Sequence, residues 1–166
     1  MTKLRFFYLG LFLALVYGCQ VEQSCEEFPL EEEQLGDASS YDSVYAEKLG
    51  ADEYGMHAYV MAFLREGPNR DRSEDEAKRL QAAHMANITK MADAGDLVVA
   101  GPFMDDGELR GIYIFNVATV EEARALTESD PAIQAGSLVM ELHPWYGSAA
   151  LIDVNKVHKR IAKTQF

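Results

Sequence analysis

The segment from Ala100 to Trp145, AGPFMDDGELRGIYIFNVATVEEARALTESDPAIQAGSLVMELHPW, constrains the fold more tightly than any other part of the chain. Asp105-Asp106-Gly107 is a hairpin signal, because glycine takes the positive φ of a tight turn without steric cost. It separates a strand ending at Phe103 from a second strand over Leu109 to Val117. Thr119 and Glu122 have the spacing of a capping box, so a helix follows and runs to near Glu128. Asp130-Pro131 then starts a short turn or helix, since Asp suits the N-cap and Pro the first helical position. Gly136 ends it, and Ser137 to Leu142 reads as a further strand.

The residues upstream supply the rest of the domain. Met56 to Leu64 has the composition of a buried strand, closed by the Arg65-Glu66-Gly67-Pro68-Asn69 breaker. Ser73 and Glu76 form another capping box, and the helix they start is predicted to reach Ala94, with Gly95 beyond its end. Its stripe of Ala77, Leu80, His84, Ile88 and Met91 lies on one helical face. Leu97 to Phe103 is the next strand. The resulting order, β-α-β-β-α-β, is the ferredoxin-like arrangement, an α+β fold with an antiparallel four-stranded sheet and both helices on one face. The strands also carry apolar residues toward the other face, which needs a cover. A second copy of the sheet is the expected one, closing an α+β barrel homodimer. A C-terminal helix, Ala149 to about Lys163, places Leu151, Val154, Val157 and Ile161 on one stripe and is expected at the dimer edge. Its basic end (Lys156, Lys159, Arg160, Lys163) complements the helix dipole, with membrane-surface binding as the alternative.

The N-terminal third reads differently. Lys3 and Arg5 precede an uncharged apolar run, Phe6 to Val16, too short to span a bilayer comfortably and laid out as a secretory signal. Val16-Tyr17-Gly18-Cys19 resembles a lipoprotein cleavage site, bulky Tyr17 apart, so residues 1–18 are expected to be removed and Cys19 lipidated. The alternative is an ordinary signal peptide or a membrane anchor with an incidental Cys19. On the lipoprotein reading the domain is exported and held at the cell envelope by lipid, in the periplasm or outside; Gln20 carries no inner-membrane retention cue. Cys25 is then unpaired, whereas without lipidation a Cys19–Cys25 disulfide is possible. Residues 19–53 are expected to form an acidic tether, because from Gln20 onward eleven Asp or Glu face a single Lys48 and such a segment repels itself. One short helix, Ser43 to Leu49, is expected inside it, between Asp42 as N-cap and Gly50. The domain then occupies residues 54–147 and a helical extension 148–166. A chain of net charge −12 lacks the clustered basic surface that nucleic acid requires.

Several pieces in order resemble one family: Leu80-Gln81-Ala82-Ala83-His84-Met85, Gly95, Ala100-Gly101-Pro102-Phe103, Asp106-Gly107, Glu122-Ala123-Arg124, Ser129-Asp130-Pro131, Gly136 and Pro144-Trp145. Over Tyr54 to Trp145 the chain resembles the YCII-related domain proteins, a branch of the dimeric α/β barrel superfamily. The resemblance implies the fold deduced above and a His–Asp site, which falls on His84 and Asp130. It also implies a kinship with enzymes of lactone or chlorinated aromatic breakdown, in the manner of muconolactone isomerases.

The chemistry of that pair can be weighed from the residues themselves. His84 lies on the apolar stripe of its helix, so its ring needs a buried hydrogen-bond partner, and Asp130 is the natural candidate. A carboxylate there would fix the imidazole tautomer and make a general base. The competing reading is a core histidine tied to an Asp that merely caps a turn. His57, His143 and His158 lack metal-ligand spacing, so no metal is expected. No cofactor is expected either: there is no phosphate-cradling glycine loop, and haem binding or electron transfer has no support from any residue. No G-x-S-x-G nucleophile occurs. Arg110 and Arg124 are candidates to steer an anionic substrate, or are ordinary surface charge. Trp145 and Tyr146 could line a pocket mouth or close a core, and Tyr113 reads as strand packing. Two functions remain open: a small enzyme using His84 and Asp130 for proton transfer on a carboxylate- or lactone-type compound, or a non-catalytic, dimeric envelope lipoprotein that binds or scaffolds, with a structural His–Asp pair.

Overall fold

The first strand, β1 (Met56–Glu66), is central because it pairs on both edges. After it come α2 (Glu74–Ala94), β2 (Leu97–Pro102), β3 (Leu109–Phe115), α3 (Val120–Glu128), α4 (Pro131–Gln134) and β4 (Leu138–Ser148). A short helix, α1 (Ser43–Lys48), precedes β1, and a 3-10 turn (Ala149–Asp153) leads into α5 (Val154–Ile161). The structure, a computed structural model, describes residues 40–164. The expectations for the leader (1–18), lipidation at Cys19, Cys25 and the acidic segment up to residue 39 lie outside the described residues.

The sheet order is β2-β3-β1-β4 with every neighbouring pair antiparallel, which is the ferredoxin-like arrangement. Val60, Ala62 and Leu64 of β1, Tyr113 and Phe115 of β3 and Leu97 of β2 form the main core with Met91 of α2 and Ala123 of α3. Both long helices therefore lie on one face, as the alternation along β1 and β3 requires. Both capping boxes are formed: Ser73 with Glu76, and Thr119 with Glu122. Gly95 closes α2 at φ +83°, a left-handed conformation that glycine adopts without a Cβ penalty.

Three boundaries differ from the expectation. β4 runs to Ser148 and pairs with β1 along its whole length, from Met56–Ser148 to Glu66–Leu138. Pro144 lies within it, and β4 is an edge strand, where a missing N–H is tolerated. The C-terminal helix is shorter than expected and begins as a 3-10 turn, and Val157 and Ile161 of its stripe stand exposed.

The third difference concerns the tether, which was expected to extend to residue 53. From Asp42 onward the chain is instead part of the folded unit that carries the sheet. α1 forms as expected, with the Asp42 side chain accepting from the Tyr45 N–H at 2.9 Å. Leu49 is buried, the Tyr45 hydroxyl donates to Asp153, and His57 contacts the Gly50 carbonyl at 3.0 Å. The acidic composition was a poor guide here because one buried leucine and a few directional bonds hold the segment.

Leu151 and Ile152 from the 3-10 turn, together with Trp145, pack on Tyr59, Val98 and Ile114. The chain's own C-terminal extension thus covers one end of the sheet face that the helices leave open. Trp145 closes this second core, and Tyr146 is half exposed, its hydroxyl donating to Asp52.

Candidate functional site

The register of α2 turns His84 onto the sheet, and the cap of α4 brings Asp130 beneath it. The imidazole is 7 % exposed and the aspartate 0 %. His84 Nδ1 lies 2.9 and 3.0 Å from the two carboxylate oxygens of Asp130. Oδ1 also accepts from the Ala132 N–H at 2.8 Å, which is the N-cap bond of α4. The two readings of Asp130 are therefore both true: one oxygen caps the helix while the carboxylate as a whole holds the histidine. Asn87, one turn along α2 from His84, offers its amide to Oδ2 at 3.5 Å. Such company is what a fully buried carboxylate requires, since an unpaired one costs several kcal/mol or more.

Because the carboxylate only accepts, Nδ1 carries the hydrogen, and in the neutral form of the ring Nε2 keeps its lone pair. The Tyr113 hydroxyl sits 3.3 Å from Nε2, and its ring stacks on the imidazole at 19° between planes. Burial first, and then the negative charge of Asp130, push the Tyr113 hydroxyl far above its usual range, so it stays protonated and is a donor for Nε2 of the neutral ring. From sequence Tyr113 reads as strand packing. Its alternation with Phe115 assigns it to the helix face, but no local signal announces the contact with His84. Asn87 likewise carries no local signal of its contact with Asp130.

His84 and Tyr113 line a cleft of about 990 Å³ between α2 and the β2–β3 edge. Leu80, Ile88 and Leu97 supply apolar wall, and Arg110 lies at one end. Asp130 is behind the imidazole rather than in the wall. Arg124, exposed on α3, is not part of the lining. The remaining histidines serve elsewhere. His57 bridges the Gly50 carbonyl and Asn116 Oδ1, and His143 pairs with Glu141 at 3.0 Å on the opposite sheet face. His158 of α5 lies at the far end of the cleft. Among the described residues no three His, Cys, Asp or Glu side chains gather as a metal ion would require, and no helix is long and apolar enough to cross a membrane.

Fold and site together define a small α+β domain that holds an imidazole between a buried carboxylate and a tyrosine at the wall of a cleft. A family model for the YCII-related domain matches residues 61–146, and the chain belongs to that family. A solved structure, the 5-chloro-2-hydroxyhydroquinone dehydrochlorinase of Burkholderia phenoliruptrix in complex with 2,5-dihydroxybenzoquinone, is similar at 20 % identity. The likeness covers 52 % of this chain and 92 % of that one, with a TM-score of 0.40. No curated protein sequence matches the chain.

Proposed function

We propose that this YCII-related protein transfers protons on a small carboxylate- or lactone-type compound, with His84 as the base and Asp130 as the group that positions it. The observation that carries the reading is a histidine whose Nδ1 is held by a fully buried carboxylate while the ring itself lines an open cleft. Neutral Nε2 takes a proton from a carbon acidified by a neighbouring carbonyl, and Asp130 stabilises the imidazolium that forms. The same nitrogen returns the proton to another carbon of the delocalised anion, so the reaction is an isomerisation that needs no oxidant. Tyr113 holds the imidazole in plane and, with substrate bound, can turn its hydroxyl to the carbonyl oxygen. General acid–base groups of this kind contribute roughly 10²–10⁴-fold.

The test follows deuterium from heavy water into muconolactone by NMR. Wild-type protein is expected to catalyse incorporation, and His84→Ala to lose at least about 100-fold of that rate while remaining folded. Equal rates for the two proteins would reject the assignment, and a variant that unfolds without any catalysis in the wild type would favour a scaffold. The reading includes export with a lipid on Cys19 and closure of a homodimer through the sheet face opposite the helices. Cys19→Ser is expected to move the protein from the membrane fraction to the soluble one.

A further inference from the structure

The cleft is longer than a lactone needs and its charge is arranged along its length. It follows α2 from Ala77 to Asp93, about 24 Å at a rise of about 1.5 Å per residue. Arg70, Arg72 and Arg110 stand at the end where α2 begins. At the other end α5 closes across the gap, where Asn155 donates to the Leu97 carbonyl at 2.7 Å and Lys159 pairs with Asp93 at 2.8 Å. Asp93 is the one carboxylate in the lining and it is taken by that lysine, so in a chain of net charge −12 the cleft is positive at one end and neutral at the other.

The three arginines are not equivalent. Arg72 commits its guanidinium to the Asn69 and Ala135 carbonyls and to Ser137 Oγ, fastening the loop before α2 to the turn after α4. Arg70 is divided between Glu66 at 2.9 Å and the Ser137 carbonyl. Arg110 spends one donor, on the Gly107 carbonyl at 3.3 Å. Its remaining fork can accept a carboxylate. Between the arginines and α5 the wall is Leu80, Ile88, Leu97 and Val154, with His84 and Tyr113 midway.

We infer that the cleft takes an amphipathic monoanion, its carboxylate at Arg110 and an extended apolar body lying past His84 toward Val154 of α5. The inference rests on the proposed function only for its choice of site, and it is read by binding rather than turnover. Calorimetric titration of the full chain with octanoate, octan-1-ol and acetate separates head group from body. Octanoate is expected to bind at least about tenfold more tightly than either, a difference well within one charge-assisted contact or a few buried methylenes. Arg110→Gln should bring octanoate to the level of the alcohol. Val154→Trp should weaken octanoate and octan-1-ol alike while leaving their ratio unchanged. Equal binding of octanoate and octan-1-ol to the wild type, or of acetate and octanoate, overturns the inference. So does an Arg110→Gln protein that is folded by circular dichroism and binds octanoate as the wild type does. Octanoate binding without any proton exchange on muconolactone would instead reject the proposed reaction and leave this inference standing.

Discussion

The two faces of the sheet carry comparable apolar side chains but are closed by different means. Under α2 and α3, Val60, Ala62 and Leu64 of β1 are each at most 4 % exposed, and the buried His84–Asp130 pair has every polar atom partnered. On the opposite face Tyr59 is buried, yet Met61 and Phe63 remain half-buried, and Arg65, Glu141 and His143 form a half-exposed network beside them. Cover there comes from Leu151 and Ile152, in the segment beyond the family-matched residues 61–146. The helix face is thus covered, apart from the cleft, by the domain's own core elements, whereas the other is covered at one end by an addition. The contrast teaches where a polar site can be held. A carboxylate survives burial only where surrounding elements are rigid enough to satisfy it from several sides, and only the helix face offers that.

Substitutions on the two faces should separate these modes. Asp130→Ala strikes the helix face hardest. It strands the imidazole and removes the cap of α4, and should cost about 4 kcal/mol in urea denaturation. A loss below about 1 kcal/mol would show that the pair contributes little to holding α2 against α4. Leu151→Ala attacks the cover of the other face and should cost about 2 kcal/mol, since its side chain is only partly buried. No loss would mean that the extension rests on the sheet without supporting it.

Tyr113→Phe should cost about 1 kcal/mol at neutral pH, one hydrogen bond's net worth. It also tests a sign. The folded-state value of this hydroxyl is raised, so its contribution is fully present below the ordinary tyrosine value near 10 and is lost as pH rises beyond it. The variant should therefore show a shallower alkaline loss of stability. The smallest effect belongs to Glu76, held below the usual carboxylate range by the Ser73 hydroxyl and N–H. Its stabilisation is present above the ordinary glutamate value and fades as pH falls through the depressed one. Glu76→Gln should flatten that acid limb of the melting temperature against pH.

Much of this organisation was legible in advance because it is written locally. Ser73–Glu76, Thr119–Glu122 and Gly95 each act within one helical turn, and the strand order follows from the sequence of elements. The juxtaposition of His84 and Asp130 was legible because a polar residue on an apolar stripe demands a partner. What escaped was non-local. Tyr113 meets His84 across 29 residues, and nothing in its neighbourhood encodes a hydroxyl aimed at an imidazole. The docking of α1 depends on Asp153, 108 residues away from Tyr45, against a charge pattern that argued for an extended segment. The strand expected to end at Leu142 continues through Pro144 to Ser148, because its length is set by pairing with β1 and an edge strand tolerates a missing N–H.

The same α1 contacts have a mechanical meaning. A pull on the chain upstream of residue 41 reaches the sheet through Tyr45, Gly50 and Asp52, which are fastened to the 3-10 turn, to the start of β1 and to the end of β4. These fastenings must peel before load arrives at β1, and β1 is gripped by a ladder of hydrogen bonds on each side. Freeing β1 would break both ladders, so the α1 contacts stand as the first points of give ahead of the sheet.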